Sequence, residues 1–405
     1  MNSAARAKYP HLASGLIAAV LAAVGVTAGV LFCERFEAQN IHALAANFSL
    51  AKIQGGVLQK HAFAAPDLLV LYGSSELEKK EPNNANEFFR DYPSGFRVFP
   101  VGQPGTTALA VLQKIAAAGG SVEGRKVAYS ISPGVYFAEV WGPEYYEGNF
   151  SHLQAYELAF SNHLSWDLKS DIARRMLDFP KTLEDDRLLE AALQRLAGDT
   201  LGDRILYAAM WPLGRLHTAI GRAQDHFQAA IMIDDLAEGS AEPKRRAGAL
   251  TWKGLLQRAA KFANRAAIET WKREAANRNQ RQLDRRKKAT QTRRLMRKVS
   301  LAREWVDLEL LIRTFLELGV EPLLLSMPVE DIRLDVYGVS AEARAAYLDR
   351  LHELATRYGV ALADFREHQH DPAFLIDFHD HLSPEGWLHY NKAIDDFYHG
   401  RPLHP

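Results

Sequence analysis

The sequence predicts an α/β protein with a parallel sheet, a large helical insertion and one amino-terminal transmembrane helix. Three observations predict it: short apolar runs that end in glycine and serine turns, a middle stretch whose apolar residues recur every three or four positions, and a long uncharged run near the amino terminus. A chain of 405 residues has room for more than one ordinary core, or for one domain with an insertion.

Near the amino terminus, residues 12–33 form an uninterrupted run of 22 uncharged residues. At about 1.5 Å per residue, a helix of this length spans the roughly 30 Å hydrocarbon core of a bilayer. A cleavable signal peptide is the alternative, but its apolar region is only about 7–15 residues long, and Glu34 and Arg35 make a poor cleavage site. Arg6 and Lys8 precede the run. We therefore expect residues 1–36 to be a cytoplasmic tip and a single-pass anchor, with the body on the extracytoplasmic side.

Apolar runs and helical patterns alternate on both sides of the middle stretch. We expect strands over 68–72, 97–101 and 127–131 in a first α/β part, residues 37–150, and over 322–326 and 360–364 in a second, residues 312–405. Helices are expected over 108–118, 312–318, 341–358 and 387–397. This alternation predicts a parallel sheet covered on both faces, with ligands bound beyond the carboxyl ends of the strands.

Residues 151–311 differ because their apolar residues follow a helical period, as at Leu189, Leu193 and Leu196. We interpret this stretch as a helical insertion. Near its end, residues 272–298 hold twelve basic and two acidic residues and so carry a net charge of +10; we call them the basic segment. Three interpretations stay open for it: a solvated helix face, a site for phosphates of anionic lipid or of an envelope polymer, and nucleic acid, which is disfavoured if the domain is exported.

Composition excludes several classes of protein. Hydrophobic residues make up 47% of the chain and charged residues 24%, which excludes a disordered or collagen-like protein. The single cysteine, Cys33, excludes a disulfide framework and any multi-cysteine zinc or iron–sulfur site. The formal net charge of zero says little about partners, because the basic segment balances a net negative charge elsewhere.

A serine motif follows the first predicted strand. Gly73-Ser74-Ser75-Glu76 places Ser75 in a turn that would expose its hydroxyl near backbone N–H groups. A serine nucleophile needs this exposure, an adjacent base and donors for the oxyanion. The motif lacks the G-x-S-x-G pattern of α/β-hydrolases, and an ordinary turn is the alternative.

A second motif, Asp377-Phe378-His379-Asp380-His381, precedes the predicted terminal helix. A carboxylate close to a histidine can orient the imidazole and stabilise its protonated form, as a base serving a serine requires. The alternatives are a solvated loop and a metal site. The metal site would use the two aspartates and two histidines of the motif, with His368 or His370, and is disfavoured because it would leave the serine motif unexplained.

The ordered motifs resemble those of the SGNH-hydrolase superfamily and, within it, the DltD family of D-alanyl transfer proteins. The superfamily resemblance rests on the serine motif, on Gly102 and Gly105 after the second strand, and on the late Asp…His pair. The DltD resemblance adds the anchor, the Gly-Ser-Ser-Glu motif and these blocks: Ser132-Pro133, Tyr136-Phe137, Met327-Pro328-Val329, Asp364-Phe365, Asp371-Pro372, Phe374-Leu375, His381-Leu382 and Gly386-Trp387. It covers the anchor and both α/β parts, and it implies the three-layer fold of the superfamily.

The resemblance implies a role for each matching residue. Ser75 is the implied nucleophile and His381 its general base. The backbone N–H groups of Ser75 and Gly105 would contribute to the oxyanion hole, Gly105 because a Cβ would hinder close approach of the backbone. No metal and no cofactor is implied.

Two departures from the superfamily pattern affect these roles. The acid usually stands three residues before the histidine, where this chain has Phe378. Asp377 is therefore the preferred acid, and Asp380 the alternative. Ser132-Pro133-Gly134 stands in place of the usual third-block asparagine, so the third oxyanion donor stays open.

Members of the DltD family take part in the D-alanylation of teichoic acids. The resemblance therefore implies an acyltransferase or esterase whose Ser75 accepts D-alanine as an ester and passes it to a polymer hydroxyl. Implied partners are an anionic envelope polymer as acceptor, a membrane-bound acyltransferase, the D-alanyl carrier pathway and membrane lipid, but not nucleic acid. Two alternatives stay open: another envelope esterase or O-acetyltransferase of the superfamily, and a non-catalytic protein that docks a carrier or an acyltransferase.

Overall fold

The structure, a computed structural model, describes residues 10–45, 50–137, 142–237, 251–262, 302–336, 339–376 and 380–403. Its strands are β1 (Leu68–Gly73), β2 (Arg97–Gly102), β3 (Lys126–Ile131), β4 (Glu321–Ser326) and β5 (Ala361–Ala363). They form one five-stranded sheet in the order β2-β1-β3-β4-β5, and every neighbouring pair is parallel. The predicted parallel sheet is confirmed, and each strand end lies within one residue of its predicted position.

The helices of the first α/β part are α1 (Pro10–Leu44), α2 (Leu50–Gln54), α3 (Val57–Ala64), α4 (Ser75–Glu78), α5 (Ala85–Asp91), α6 (Ala108–Ala118), α7 (Gly134–Phe137) and α8 (Pro143–Glu147). Those of the middle stretch are α9 (His152–Ala159), α10 (Trp166–Met176), α11 (Arg187–Ala197), α12 (Leu201–Ala237) and α13 (Trp252–Phe262). The second part has α14 (Glu304–Glu317), α15 (Asp331–Val336), α16 (Ala341–Tyr358) and α17 (Pro384–Tyr398). Short 3₁₀ turns cover Gly119–Val122, Pro180–Thr182 and Arg366–His368.

Both faces of the sheet are covered, because successive side chains of each strand point to opposite sides. In β1, Val70 and Tyr72 join a core formed with α3, α6, α14 and α16. Leu69 and Leu71 join the other core, against α5, α13 and α17. The molecule therefore has the predicted three layers.

Helix ends explain why two predicted helices have the observed bounds. Thr107 caps α6 by accepting a hydrogen bond from the Ala110 N–H at 3.3 Å, and Ser340 caps α16 through the Ala343 N–H at 3.2 Å. Gly359 ends α16 in the left-handed conformation, with φ of 64°. Such caps are legible in sequence, since each depends on neighbouring residues only.

Helix α1 is longer than the uncharged run, with 35 residues and a length of about 52 Å. It is the one helix in the described part of the chain that is long and apolar enough to cross a membrane. Its last turns contact the body instead. His42 Nε2 lies 2.8 Å from Asp67 Oδ1, and Arg97 Nη1 donates to the His42 carbonyl at 3.3 Å. Because Asp67 and Arg97 stand at the starts of β1 and β2, α1 joins the amino-terminal edge of the sheet.

The described part of the middle stretch consists of helices joined by short connections and contains no strand, as expected. The predicted division at residue 311 falls inside α14, which begins at Glu304 and packs against α6 in the core of the α/β body. The basic segment, residues 272–298, lies outside the described residues.

Candidate active site

The sequence-predicted residues gather at the carboxyl edge of the sheet. Ser75 follows β1, Gly105 follows β2, Ser132 follows β3, and His381 lies in the loop before α17. In the order β2-β1-β3, the strands β2 and β3 lie on opposite sides of β1. In parallel sheets such a switch point opens a crevice at the carboxyl ends of the strands. The site therefore lies where the fold provides space for a ligand.

Two glycines let the serine turn approach its neighbour closely. A Cβ at Gly73 would collide with the Glu76 carboxylate, and a Cβ at Gly102 would collide with the Gly73 carbonyl. Immediately after this contact Ser75 begins the short helix α4, with a half-buried side chain. The turn thus leaves the Ser75 side chain partly exposed at the carboxyl edge of the sheet.

His381 meets this hydroxyl directly. Its Nε2 lies 2.9 Å from Ser75 Oγ, although the two residues are 306 positions apart in sequence. The histidine loop is held by the Ile376 N–H, which donates to the His381 carbonyl at 2.8 Å, and by a bridge between Leu375 and Leu382. The 2.9 Å between His381 Nε2 and Ser75 Oγ is a distance at which a general base can take the hydroxyl proton.

Lys79 lies on the other side of the imidazole and was not found from the sequence. Its Nζ is 3.5 Å from His381 Nδ1. Lys79 directly follows α4, which begins with Ser75, so the i, i+4 spacing of a helix was a signal for this neighbour. Asp377, the preferred acid, lies outside the described residues, so its role stays a prediction.

Asp380, the alternative acid, has a different environment. Its Oδ2 accepts hydrogen bonds from Ser132 Oγ and, at 2.9 Å, from the Gly134 N–H; its Oδ1 pairs with Arg333 Nη1. Asp380 is 3% exposed and Arg333 2% exposed, so this is a buried ion pair. Its contacts tie the histidine loop to the end of β3, and Asp380 itself takes a left-handed φ of 61° just before His381.

Arg333, also missed from the sequence, has a second carboxylate nearby. Glu330 Oε2 accepts from the Arg333 N–H at 3.2 Å and lies 4.0 Å from its Nε. Burial raises the pKa of Glu330 to about 7. The sequence carried no signal for this cluster, because Arg333 lies in α15 and Asp380 in the loop before α17, far apart in the chain.

Gly105 takes a left-handed backbone conformation just after β2. Its φ is 77°, and a Cβ there would stand 2.5 Å from Tyr145 Cδ1. Its N–H donates to Ser74 Oγ at 3.1 Å, and Ser74 Oγ lies 3.4 Å from the Gln103 carbonyl. The N–H group assigned to the oxyanion hole is therefore engaged by Ser74, a residue that sequence reasoning left without a role.

Glu76 stabilises the serine turn through a hydrogen bond to its backbone. It is 2% exposed, and its Oε1 accepts from the Ser74 N–H at 3.0 Å. Burial raises the pKa of Glu76, while the hydrogen bond from Ser74 and the proximity of His381 act in the opposite direction. Its contact with the turn is a structural one.

The histidines of the alternative metal set do not converge where the structure describes them. His368 pairs with Asp371 at 3.2 Å and His370 with Asp331 at 2.7 Å. Among the described residues, no group of three or more His, Cys, Asp or Glu is placed to hold a metal ion. Asp377 and His379, the other members of the alternative metal set, lie outside the described residues.

The fold and the site together define an α/β protein of the SGNH-hydrolase type, with a serine after the first strand and a histidine before the last helix. The family model described as "DltD protein" matches residues 45–399, so the chain belongs to the DltD family. Membership indicates that the protein takes part in the D-alanylation of teichoic acid.

Two curated relatives agree with this membership. Protein DltD of Bacillus subtilis (strain 168) is 24% identical over 352 residues, which cover 85% of this chain and 86% of that protein. Protein DltD of Staphylococcus aureus (strain NCTC 8325 / PS 47) is 21% identical over 350 residues, which cover 86% of each. The resemblance stated from the motifs alone is confirmed, and it extends through the helical insertion.

Proposed function

We propose that the protein is a membrane-anchored acyltransferase or esterase in which Ser75 carries a D-alanyl group as an ester on its way to an envelope polymer. The observation that carries this proposal is the 2.9 Å approach of His381 Nε2 to Ser75 Oγ at the carboxyl edge of the sheet. A serine and a histidine in this relation form an activated nucleophile.

In the first step His381 Nε2 takes the hydroxyl proton as Ser75 Oγ attacks the carbonyl carbon of the donor. The tetrahedral intermediate collapses when the bond to the donor's leaving group breaks and His381 returns the proton to that group. In the second step His381 takes a proton from a polymer hydroxyl, which attacks the seryl ester. Ser75 leaves and recovers its proton, so atoms and charge balance over the cycle.

Two further groups complete the proposed machinery. Asp377 is the proposed acid that orients His381 and stabilises its protonated form. The backbone N–H groups of Ser75 and Gly105 are the proposed oxyanion donors, and the Gly105 N–H becomes accessible when Ser74 Oγ turns away from it. A donor of this kind stabilises the transition state by about 3–4 kcal/mol.

The proposed setting is the extracytoplasmic face of the membrane. The acceptor is an anionic polymer hydroxyl, and the acyl group comes from the D-alanyl carrier pathway through a membrane-bound acyltransferase. Access of polymer and partners to Ser75 is supported by the attachment of α1 at the starts of β1 and β2. Six strand residues, or about 20 Å, separate that edge of the sheet from Ser75. The anchor thus leaves the catalytic edge open to partners and polymer.

Ser75→Ala tests the proposal. We expect D-alanyl ester in the envelope to be lost while the variant stays in the membrane fraction, because only the nucleophile is removed. Ser121→Ala is the matched control, since Ser121 lies in the turn before β3, at the opposite edge of the sheet. Unchanged ester content in the Ser75 variant would contradict the proposal.

Two measurements separate the remaining alternatives. Mass spectrometry of the peptide that contains Ser75 identifies the acyl group, and an acetyl group would indicate an O-acetyltransferase or another esterase instead. A serine-reactive fluorophosphonate should label Ser75, and absence of labelling in the folded protein would indicate a non-catalytic docking protein.

A further inference from the structure

Helix α12 exposes a long row of large apolar side chains. The helical repeat of about 3.6 residues per turn places all of them within an arc of about 140°. Their exposed fractions run from 39% at Phe227 to 74% at Leu201. We call this row the α12 apolar face; its members are Leu201, Ile205, Leu206, Leu213, Leu216, Ile220, Phe227 and Ile231.

No charged residue interrupts the α12 apolar face. Between Leu201 and Ile231 every Asp, Glu, Lys and Arg of α12 falls outside its arc. The stretch is about 45 Å long. A contiguous exposed apolar surface of this size is rare on soluble proteins and marks a site of contact with a membrane or a partner.

The orientation of α12 is fixed by its opposite side, so the exposure does not depend on how the helix rotates. Tyr207 Oη donates to the Ala159 carbonyl at 2.6 Å. Asp225 Oδ2 accepts from the N–H groups of Gly56 at 2.7 Å and Val57 at 2.9 Å. Both contacts are buried, and they direct the apolar face away from the body.

Helix α12 also contacts α1 at the point where the uncharged run ends. A Cβ at Gly29 would stand 3.0 Å from Phe227 Cζ. Cys33 is buried, and His226 Nδ1 lies 2.8 Å from Glu37 Oε2. Glu34 is the first charged residue after the run. Phe227 therefore lies at the level where α1 leaves the hydrocarbon region.

We infer that the α12 apolar face lies in the membrane interface, in contact with lipid of the leaflet on the side of the body. This inference rests on the part of the proposed function that has α1 crossing the bilayer. Lipid is the occupant because the face meets α1 where Phe227 packs on Gly29, within the uncharged run, and the next turn of α1 exposes Leu31 and Phe32, 52% and 70% exposed. Interfacial helices bury an apolar face about 5–10 Å below the headgroups in this way.

The inference gives the body a second contact with the bilayer. A single transmembrane helix leaves a domain free to rotate and tilt. With α12 lying in the interface, the body is held in one orientation, and the catalytic edge keeps a constant height above the membrane.

The test uses site-specific fluorescence on the full chain in lipid nanodiscs of phosphatidylcholine and phosphatidylglycerol. Cys33 is the only cysteine of the chain, so Cys33→Ala supplies a background for single labels. Leu216→Cys and Ile220→Cys report on the α12 apolar face. Val20→Cys reports on the anchor, and Ala345→Cys, on the exposed side of α16, is the solvent control.

We expect labels at positions 216 and 220 to show blue-shifted emission and quenching by lipids with brominated acyl chains, with the label at 345 unaffected. Quenching at 20 without quenching at 216 and 220 would overturn the inference and leave the anchor intact. Absence of quenching at position 20 would overturn the anchor as well. Shielding of 216 and 220 in native membranes but not in lipid nanodiscs would assign the face to a membrane protein instead and contradict lipid contact.

Discussion

The carboxyl edge of the sheet, which holds the candidate site, and helix α12 depart from ordinary burial in opposite directions. The carboxyl edge buries charged groups, with Arg333, Asp380 and Glu76 each at most 3% exposed. Helix α12 exposes large apolar groups such as Leu216, which is 54% exposed. Burying charged groups is costly unless every charge has a partner. Exposing large apolar side chains is costly unless a membrane or a partner covers them.

The two regions are under different structural constraints. At the carboxyl edge of the sheet, buried polar contacts fix the loops that carry Ser75 and His381. The constraint there acts on the relative positions of these two side chains. On α12 most of the apolar face is exposed, with Leu216 54% and Ile220 51% exposed, so the constraint there acts on the surface chemistry. The two regions should therefore respond to substitution in different ways.

The largest expected effect follows from breaking the buried ion pair. Asp380→Ala removes the carboxylate that pairs with the buried Arg333 guanidinium, so we expect a loss of about 3–5 kcal/mol in the free energy of unfolding. Urea unfolding in detergent micelles measures this loss. We also expect the ester content of the envelope to fall, because Asp380 positions the histidine loop.

The double variant Asp380→Ala, Arg333→Met is the control for this prediction. Removing both charges should restore much of the stability, since an apolar pair of similar volume is tolerated where a single buried charge is not. A double variant less stable than Asp380→Ala would contradict the uncompensated-charge explanation.

Truncating one leucine in each region should show how differently the two regions respond. Leu308 of α14 is 0% exposed, so Leu308→Ala should lower the free energy of unfolding by about 2–5 kcal/mol. Leu216→Ala on α12 should change it by no more than about 0.5 kcal/mol, because its side chain is exposed. Both are measured by the same urea unfolding. Equal losses at the two positions would show that the α12 apolar face is buried within the protein.

The stability of the protein should also depend on pH through Glu330. Burial raises the pKa of Glu330 to about 7, Arg333 acts against this shift, and Asp331 and Asp371 add to it. A raised carboxyl pKa favours the folded state below the unfolded pKa of about 4.5, and this contribution is lost as pH rises through 7. Between pH 5 and pH 8 the parent should therefore lose about 2.5 kcal/mol more stability than Glu330→Gln.

Urea unfolding at those two pH values measures the difference, and the parent protein serves as the control because all other groups titrate equally in both. An identical loss of stability in parent and variant would mean that Glu330 is ionised throughout this range.

Sequence reasoning found the strands, the longest helix of the second α/β part and the serine–histidine pair, but not their supporting residues. The strands were legible because buried parallel strands are short continuous apolar runs with turn residues after them. Helix α14 was predicted to begin eight residues too late, since its first turns mix charged and apolar residues around Glu304 and Asp307. Ser74, Lys79 and Arg333 were missed because their roles depend on loops that meet only after folding.

The two candidate acids show the same limit. Spacing alone favoured Asp377 over Asp380, and the contacts of Asp380 with Ser132, Gly134 and Arg333 explain a structural role for the latter. For α12, the sequence showed a helical period but not which side of the helix would pack against the body.

By itself, the sequence determined the class of fold, the long apolar helix near the amino terminus and the candidate residues of the site, because hydrophobic period, caps and short motifs act over a few neighbouring residues. Only the tertiary structure decided that His381 lies 2.9 Å from Ser75, that Asp380 pairs with Arg333 and that α12 turns its apolar face outward. These contacts join residues far apart in the chain, and the packing of the whole molecule brings them together.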